Sequence, residues 1–226
     1  MNRFRIALAA ILGGALTVFA VPVLGAPNAD VGAALGFDAG VGGEFRYTLS
    51  DLSPGMPFAP RLGLGWLGLD PGNAEEARRI FINDATDGTA QKHGHRWDAR
   101  FDAVVPIGGP GGHGLAIFGG PRYSLFSGEF AYIGGNEVFT VTSRQWGWGA
   151  GIERSFPIGP RASLNLSGGL DYYLDSRLEG HDTSYDPDGT SINPTHDYAY
   201  ADADAAIRQP RFTPRLMMGF QTRLGH

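Results

Sequence analysis

Apolar and polar residues alternate along most of the chain with a period of two, the signature of strands that bury one face and not the other. From Val31 to Leu49 the parity never breaks. Odd positions carry Val31, Leu35, Phe37, Val41, Phe45, Tyr47 and Leu49, while even positions carry Asp38, Glu44, Arg46, Thr48 and several glycines. A single strand of that length would run roughly 60 Å at about 3.3 Å per residue. The stretch is therefore predicted to fold back at Asp38-Ala39-Gly40, a three-residue turn with Gly40 in the left-handed position. Without that turn the chain has seven strands, and with it eight.

Six further strands follow by the same reading. Phe58–Leu69 sends Leu62, Leu64 and Trp66 one way and Arg61, Gly63 and Gly65 the other. Residues 95–105 set Trp97, Ala99, Phe101, Ala103 and Val105 against Arg96, Asp98, Arg100 and Asp102. Later runs oppose Leu115, Ile117, Tyr123 and Leu125 to Arg122 and Ser124; Trp146, Trp148 and Ile152 to Gln145 and Glu153; Leu164, Leu166, Leu170 and Tyr172 to Asn165, Ser167 and Asp171; and Phe212, Leu216, Met218, Phe220 and Leu224 to Arg215, Gln221 and Arg223. Four charges on one face of a single strand fit neither lipid nor a dry sandwich core unless they pair. Inside a small closed barrel they have neighbours to pair with. The polar faces together predict a lumen network of Glu44, Arg46, Arg61, Arg96, Asp98, Arg100, Asp102, Arg122, Glu153, Asp171, Arg215 and Arg223.

The connections sort into two sizes. Asp51–Pro57, Ile107–His113 and Pro157–Pro160 are short and rich in Gly and Pro; Asp70–Lys92 and Asp175–Arg208 are long and polar; Ser127–Ser143 prolongs a hairpin that turns at Gly134-Gly135-Asn136. Trp66, Trp97, Tyr123, Trp146, Trp148 and Tyr172 fall near the long-loop ends of the apolar faces, and Tyr47, Phe58, Phe156 and Phe220 near the short-turn ends. That is the arrangement of two interfacial aromatic girdles. The fold class is therefore all-β: a closed antiparallel up-and-down barrel of eight transmembrane strands, spanning residues 27–226.

Ahead of it, Arg3 and Arg5 precede an apolar stretch from Ile6 to Ala20, 15 residues long. Such a stretch is too short for a spanning helix and fits the core of an export signal. Residues 1–26 are read as that signal peptide, with cleavage after Ala20 or Ala26. Composition agrees with an exported barrel: 35 glycines, 12% aromatics, no cysteine and a mean hydropathy of −0.13. Lacking cysteine, the chain has neither disulfides nor the attachment residue of a lipoprotein. A net charge of −5 argues against a nucleic-acid partner.

On its signal, strand alternation, loop asymmetry and glycine pattern, the chain resembles the small OmpA/OmpX-type outer-membrane β-barrels over residues 27–226. The resemblance implies residence in the outer membrane of a Gram-negative-type bacterium. It also implies contact with outer-membrane lipid and lipopolysaccharide, and insertion by the barrel-assembly machinery. Such barrels end in an aromatic residue, whereas this chain ends Leu224-Gly225-His226, leaving Phe220 or Leu224 for that role.

An eight-stranded barrel is only wide enough inside for its own side chains, so the expected function is a structural or surface-interaction barrel with a closed lumen. Two alternatives follow from particular residues. One is a narrow channel for ions or small solutes through the charged lumen. The other is a lipid-modifying hydrolase: if the Ile107–His113 turn pairs residue i with about 220 − i, His93 lies opposite Ser127, with Glu129 just beyond. A base, a nucleophile and an orienting acid would then meet at the rim, a grouping that resembles the site logic of lipid A deacylases. That family carries its His and Ser on one strand, which this chain does not. His93 and His95 also share a face as two possible metal ligands. Asp182, Asp186 and Asp188 in the last loop are candidates for a divalent cation, without the glutamate of an EF-hand. Glu75 to Ile82 reads as a short helix with Glu75 and Arg79 as partners. No cofactor fingerprint is present; Gly108–Gly114 is a turn with no Lys-Ser/Thr after it.

Overall fold

A computed structural model describes residues 28–50, 52, 53, 55–82, 88–107, 114–135 and 137–224. The expected export segment, residues 1–26, lies outside the described residues, as do most of the Ile107–His113 turn and the last two residues. Ten strands form one antiparallel sheet: β1 (Asn28–Asp38), β2 (Val41–Ser50), β3 (Ala59–Leu69), β4 (Thr89–Ile107), β5 (Leu115–Ile133), β6 (Glu137–Pro157), β7 (Ala162–Tyr173), β8 (Leu178–Gly180), β9 (Thr183–Tyr185) and β10 (Phe212–Leu224). Each of β1 to β6 pairs with the next, β7 pairs with β10, and β10 pairs back to β1. Those eight strands close a ring. β8 and β9 form a small hairpin added to the upper edge of β6.

The N-terminal hairpin forms as its parity demands, with Phe37 opposite Val41. The left-handed residue, however, is Ala39 (φ 55°), not Gly40. Gly40 is small for a different reason: a Cβ there would meet the Gly68 carbonyl of the neighbouring strand. β3 starts at Ala59, one residue later than predicted.

The ring is inside-out. Leu35, Leu62, Trp97, Trp148, Ile152, Leu216 and Phe220 stand outward and exposed, while Arg96 and Arg122 are wholly buried inside. No water-soluble monomer keeps an apolar surface of this extent. β1, β2, β3, β7 and β10 are 10 to 13 residues long, close to what a tilted strand needs to cross a bilayer. β4, β5 and β6 run to 19–21 residues and project roughly 25–30 Å further at about 3.3 Å per residue.

Two helices nest against the inner face of that projection. α1 (Ala74–Phe81) is capped by Asn73, whose side chain accepts the Glu75 N–H, with acids in its first turn and arginines in its last. Its ion pairs are Glu75–Arg78 and Glu76–Arg79, spaced i,i+3, rather than Glu75–Arg79. Ala77, Ile80 and Phe81 lie on one buried stripe. α2 (Tyr200–Ala206) sits beside it.

The barrel closes where β10 meets β1. A Cβ on Gly219 would collide with the Ala33 carbonyl and with Ala34. Gly219→Ala is expected to cost about 1–3 kcal/mol in urea unfolding from lipid vesicles. Gly159→Ala, at a turn position with nothing within 4 Å, should stay within about 0.5 kcal/mol of the parent.

Candidate functional site: the barrel lumen and its cap

Every strand of the ring sends at least one charge into the lumen. Around the wall the charges alternate and close on themselves. Arg61 reaches Asp102 (3.8 Å), Asp102 meets Arg122 (2.8 Å), Arg122 meets Asp171 (2.9 Å), and Asp171 meets Arg100 (2.7 Å). Arg100 then meets Glu44 (3.3 Å), Glu44 meets Arg46 (2.6 Å), Arg46 meets Glu153 (2.6 Å), and Glu153 returns to Arg61 (2.9 Å). A branch toward the long-loop end joins Arg96 to Asp38 (2.9 Å) and Asp98 (2.8 Å). Arg100 and Arg215 also bond Asp38 and Glu44 respectively.

Of the twelve residues predicted for the lumen, eleven join this network. Arg223 does not: it stands 61% exposed at the short-turn mouth, 3.6 Å from Asp30. The predicted set lacks Asp38, whose place beside Ala39 and Gly40 reads as turn; the residue is 1% exposed and takes ion pairs from three arginines. With Asp38 counted and Arg223 removed, six arginines (46, 61, 96, 100, 122, 215) face six carboxylates (38, 44, 98, 102, 153, 171). The charge of the network cancels. Remaining space is taken by Phe118, with the Arg61 guanidinium 5.0 Å from its ring centre, and by Tyr173, with that of Arg96 at 5.3 Å. Small residues on β6 make room: a Cβ on Gly149 would occupy the place of the Asp171–Arg122 pair.

Above the charges the lumen turns apolar. Phe126, Phe130, Tyr132, Phe139 and Val141 from β5 and β6 pack with Ile80 and Phe81 of α1, Leu178, Tyr185, and Ala203, Ala206 and Ile207 at α2. The two long loops are tied to each other. Asn73 N–H donates to the Ala206 carbonyl (2.8 Å) and Arg208 N–H to that of Pro71 (3.1 Å). The Ile80 carbonyl at the end of α1 accepts Tyr185 Oη and Thr195 Oγ1, each at 3.0 Å. Tyr132 Oη donates to the Ala74 carbonyl, and burial pushes its phenol up to about 12. Burial alone would raise Asp70, but Lys92 Nζ at 2.7 Å and the Gly72 N–H hold it below the usual carboxylate range.

The other sequence candidates do not converge. β4 and β5 pair as i with 222 − i, not 220 − i, so His93 faces Glu129 and His95 faces Ser127. A shift of two keeps every side chain on its face, so alternation could not reveal it. Among the described residues no hydrogen bond joins His93, Ser127 or Glu129. Asp182 sits on the β8–β9 turn, 3.2 Å from His181 Nδ1; Asp186 lies 3.5 Å from Arg177; Asp188 is engaged by the Thr190 N–H and hydroxyl. Among the described residues no three His, Cys, Asp or Glu group as a metal site.

The predicted girdle residues lie next to one another around the wall. Trp66 is opposite Trp97, Tyr123 opposite Trp146, and Trp148 opposite Tyr172, with the Tyr123 and Trp146 rings 4.8 Å apart. No family model and no curated protein matches the chain. Among solved structures it is similar to a major outer membrane protein from Thermus thermophilus, at 26% identity over 87% of this chain and 99% of that one, with a TM-score of 0.71. The chain has the closed eight-stranded fold of outer-membrane β-barrels. A more distant likeness is to Ail, the attachment invasion locus protein of Yersinia pestis, at 10% identity over 87% and 97% of the two chains, with a TM-score of 0.47. The barrel resides in the outer membrane.

Arg100 bridges four carboxylates, Asp38, Glu44, Asp98 and Asp171. Arg100→Ala is expected to destabilise the barrel by about 3–5 kcal/mol, the cost of stranding buried charge. Arg223→Ala, which removes an exposed pair, should cost at most about 1 kcal/mol. Parallel urea titrations in lipid vesicles measure both.

Proposed function

We propose that this barrel is a non-conducting outer-membrane scaffold that displays a preformed extracellular cap for surface interactions. The observation that carries the reading is the self-closing ring of eight alternating charges across the lumen, with an apolar seal of loop residues stacked above it. A channel needs a continuous polar path that solutes enter and leave. Here the charged groups are engaged in ion pairs with one another, and among the described residues the layer above them is mainly apolar. The partners on this reading are outer-membrane lipid, lipopolysaccharide where the host makes it, and the assembly machinery that inserts the barrel. The cap, held by Tyr185, Thr195 and the α1–α2 contact, is the surface available to an external ligand.

Two measurements test the scaffold. Purified barrel in planar bilayers is expected to give no unitary conductance steps at about 100–200 mV, a driving force of a few kcal/mol per elementary charge; reproducible steps would establish the channel alternative. External protease on whole cells should leave residues 174–211 intact. Ile80→Asp, which places an unpaired carboxylate in the cap core, is expected to render that segment cleavable. The heat-dependent gel mobility of the closed barrel should be unchanged.

A further inference from the structure

The outward wall of the barrel is uncharged almost everywhere. Among the described strand residues at or below the aromatic girdle, two outward positions carry a charge, Arg144 and Arg154, and both are on β6. Between them the outward face reads Trp146, Trp148, Ala150 and Ile152. Ten residues at about 3.3 Å each span roughly 33 Å along the strand. At a tilt of about 40° that is roughly 25 Å along the membrane normal, the height of the apolar band of such barrels. The two arginines thus bracket the hydrocarbon layer, one at each interface.

Among the described residues, neither is paired with a carboxylate. Arg144 lies opposite Leu125 and next above Trp146. Nearby carboxylates are engaged elsewhere: Glu179 with Arg177 at 3.6 Å, and Asp175 with Arg211 at 2.5 Å. Arg154 is flanked by Leu115 and Leu166. Its guanidinium lies 5.0 Å from the ring centre of Phe156, which is one outward position closer to the periplasmic turn. A guanidinium kept on an apolar wall, directed along the wall toward the headgroups by an aromatic ring, needs an anion at the interface. Its planar fork suits phosphate.

We propose that β6 binds lipid phosphate in both leaflets, Arg144 in the outer and Arg154 in the inner, and so fixes the height of the barrel in the membrane. This inference rests on the membrane placement and is independent of whether the lumen conducts. The test uses the full barrel in nanodiscs of equal parts phosphatidylglycerol and digalactosyl diacylglycerol, an anionic phosphate lipid and a sugar lipid without phosphate. Lipids retained on the ejected protein are counted by native mass spectrometry. The parent should retain phosphatidylglycerol preferentially. Arg144→Gln and Arg154→Gln should each lower that preference by about fivefold, the double variant should abolish it, and Arg154→Lys should keep most of it. Unchanged heat-dependent mobility shows that each variant is folded. A double variant that retains phosphatidylglycerol as selectively as the parent overturns the proposal. Loss confined to one of the two positions overturns its two-leaflet form.

Discussion

The mutual neutralisation of six arginines and six carboxylates in the lumen is the constraint on which the rest of the barrel depends. Removing an ion from water costs several kcal/mol even after relaxation, and one partner alone does not always repay it. Here each carboxylate takes at least two arginines, and Arg100 takes four carboxylates. The network holds only if all eight strands stand in register, because its links run across the lumen between strands far apart in the chain. Arg46 on β2 to Glu153 on β6, and Arg100 on β4 to Asp171 on β7, tie opposite walls together. Glycines such as Gly149 follow from the same demand, since a barrel of eight strands has no interior space beyond what its side chains fill.

Alternation makes the strands, their faces and eleven of the lumen charges legible, because a period of two is imposed by the backbone and survives any tertiary context. What it cannot carry is register. A slip of two residues leaves parity intact, and the β4–β5 slip is of that kind; it separates His93 from Ser127 and takes the proposed triad apart. Asp38 escapes because a residue next to a turn reads as turn. Its side chain nonetheless keeps the inward parity of Gly36 and Glu44, and that parity is the available signal. The cap core is also visible in part. On β5 the inward residues change from Arg122 and Ser124 to Phe126, Phe130 and Tyr132, a switch that has no purpose inside a polar lumen.

That switch has a counterpart on the outer face at the same height. Going up the wall, outward residues change from Trp97 and Leu125 to His95, Ser127 and Glu129, while the inward ones on β5 turn apolar beside them. Below the level of Trp97 the wall is apolar outside and charged inside; above it the wall is polar outside and apolar inside, as in any water-soluble domain. One continuous strand therefore obeys two solvents, and the inversion of both faces marks where the bilayer ends. It also explains why the long loops fold as they do. Once the strands leave the lipid, their inner face is a hydrophobic surface open to water, and α1, α2 and the β8–β9 hairpin cover it. The cap is thus a consequence of strand length: barrel strands that stopped at the membrane surface would need no such cover, and loops released from it would expose Phe130, Phe139 and Val141 together.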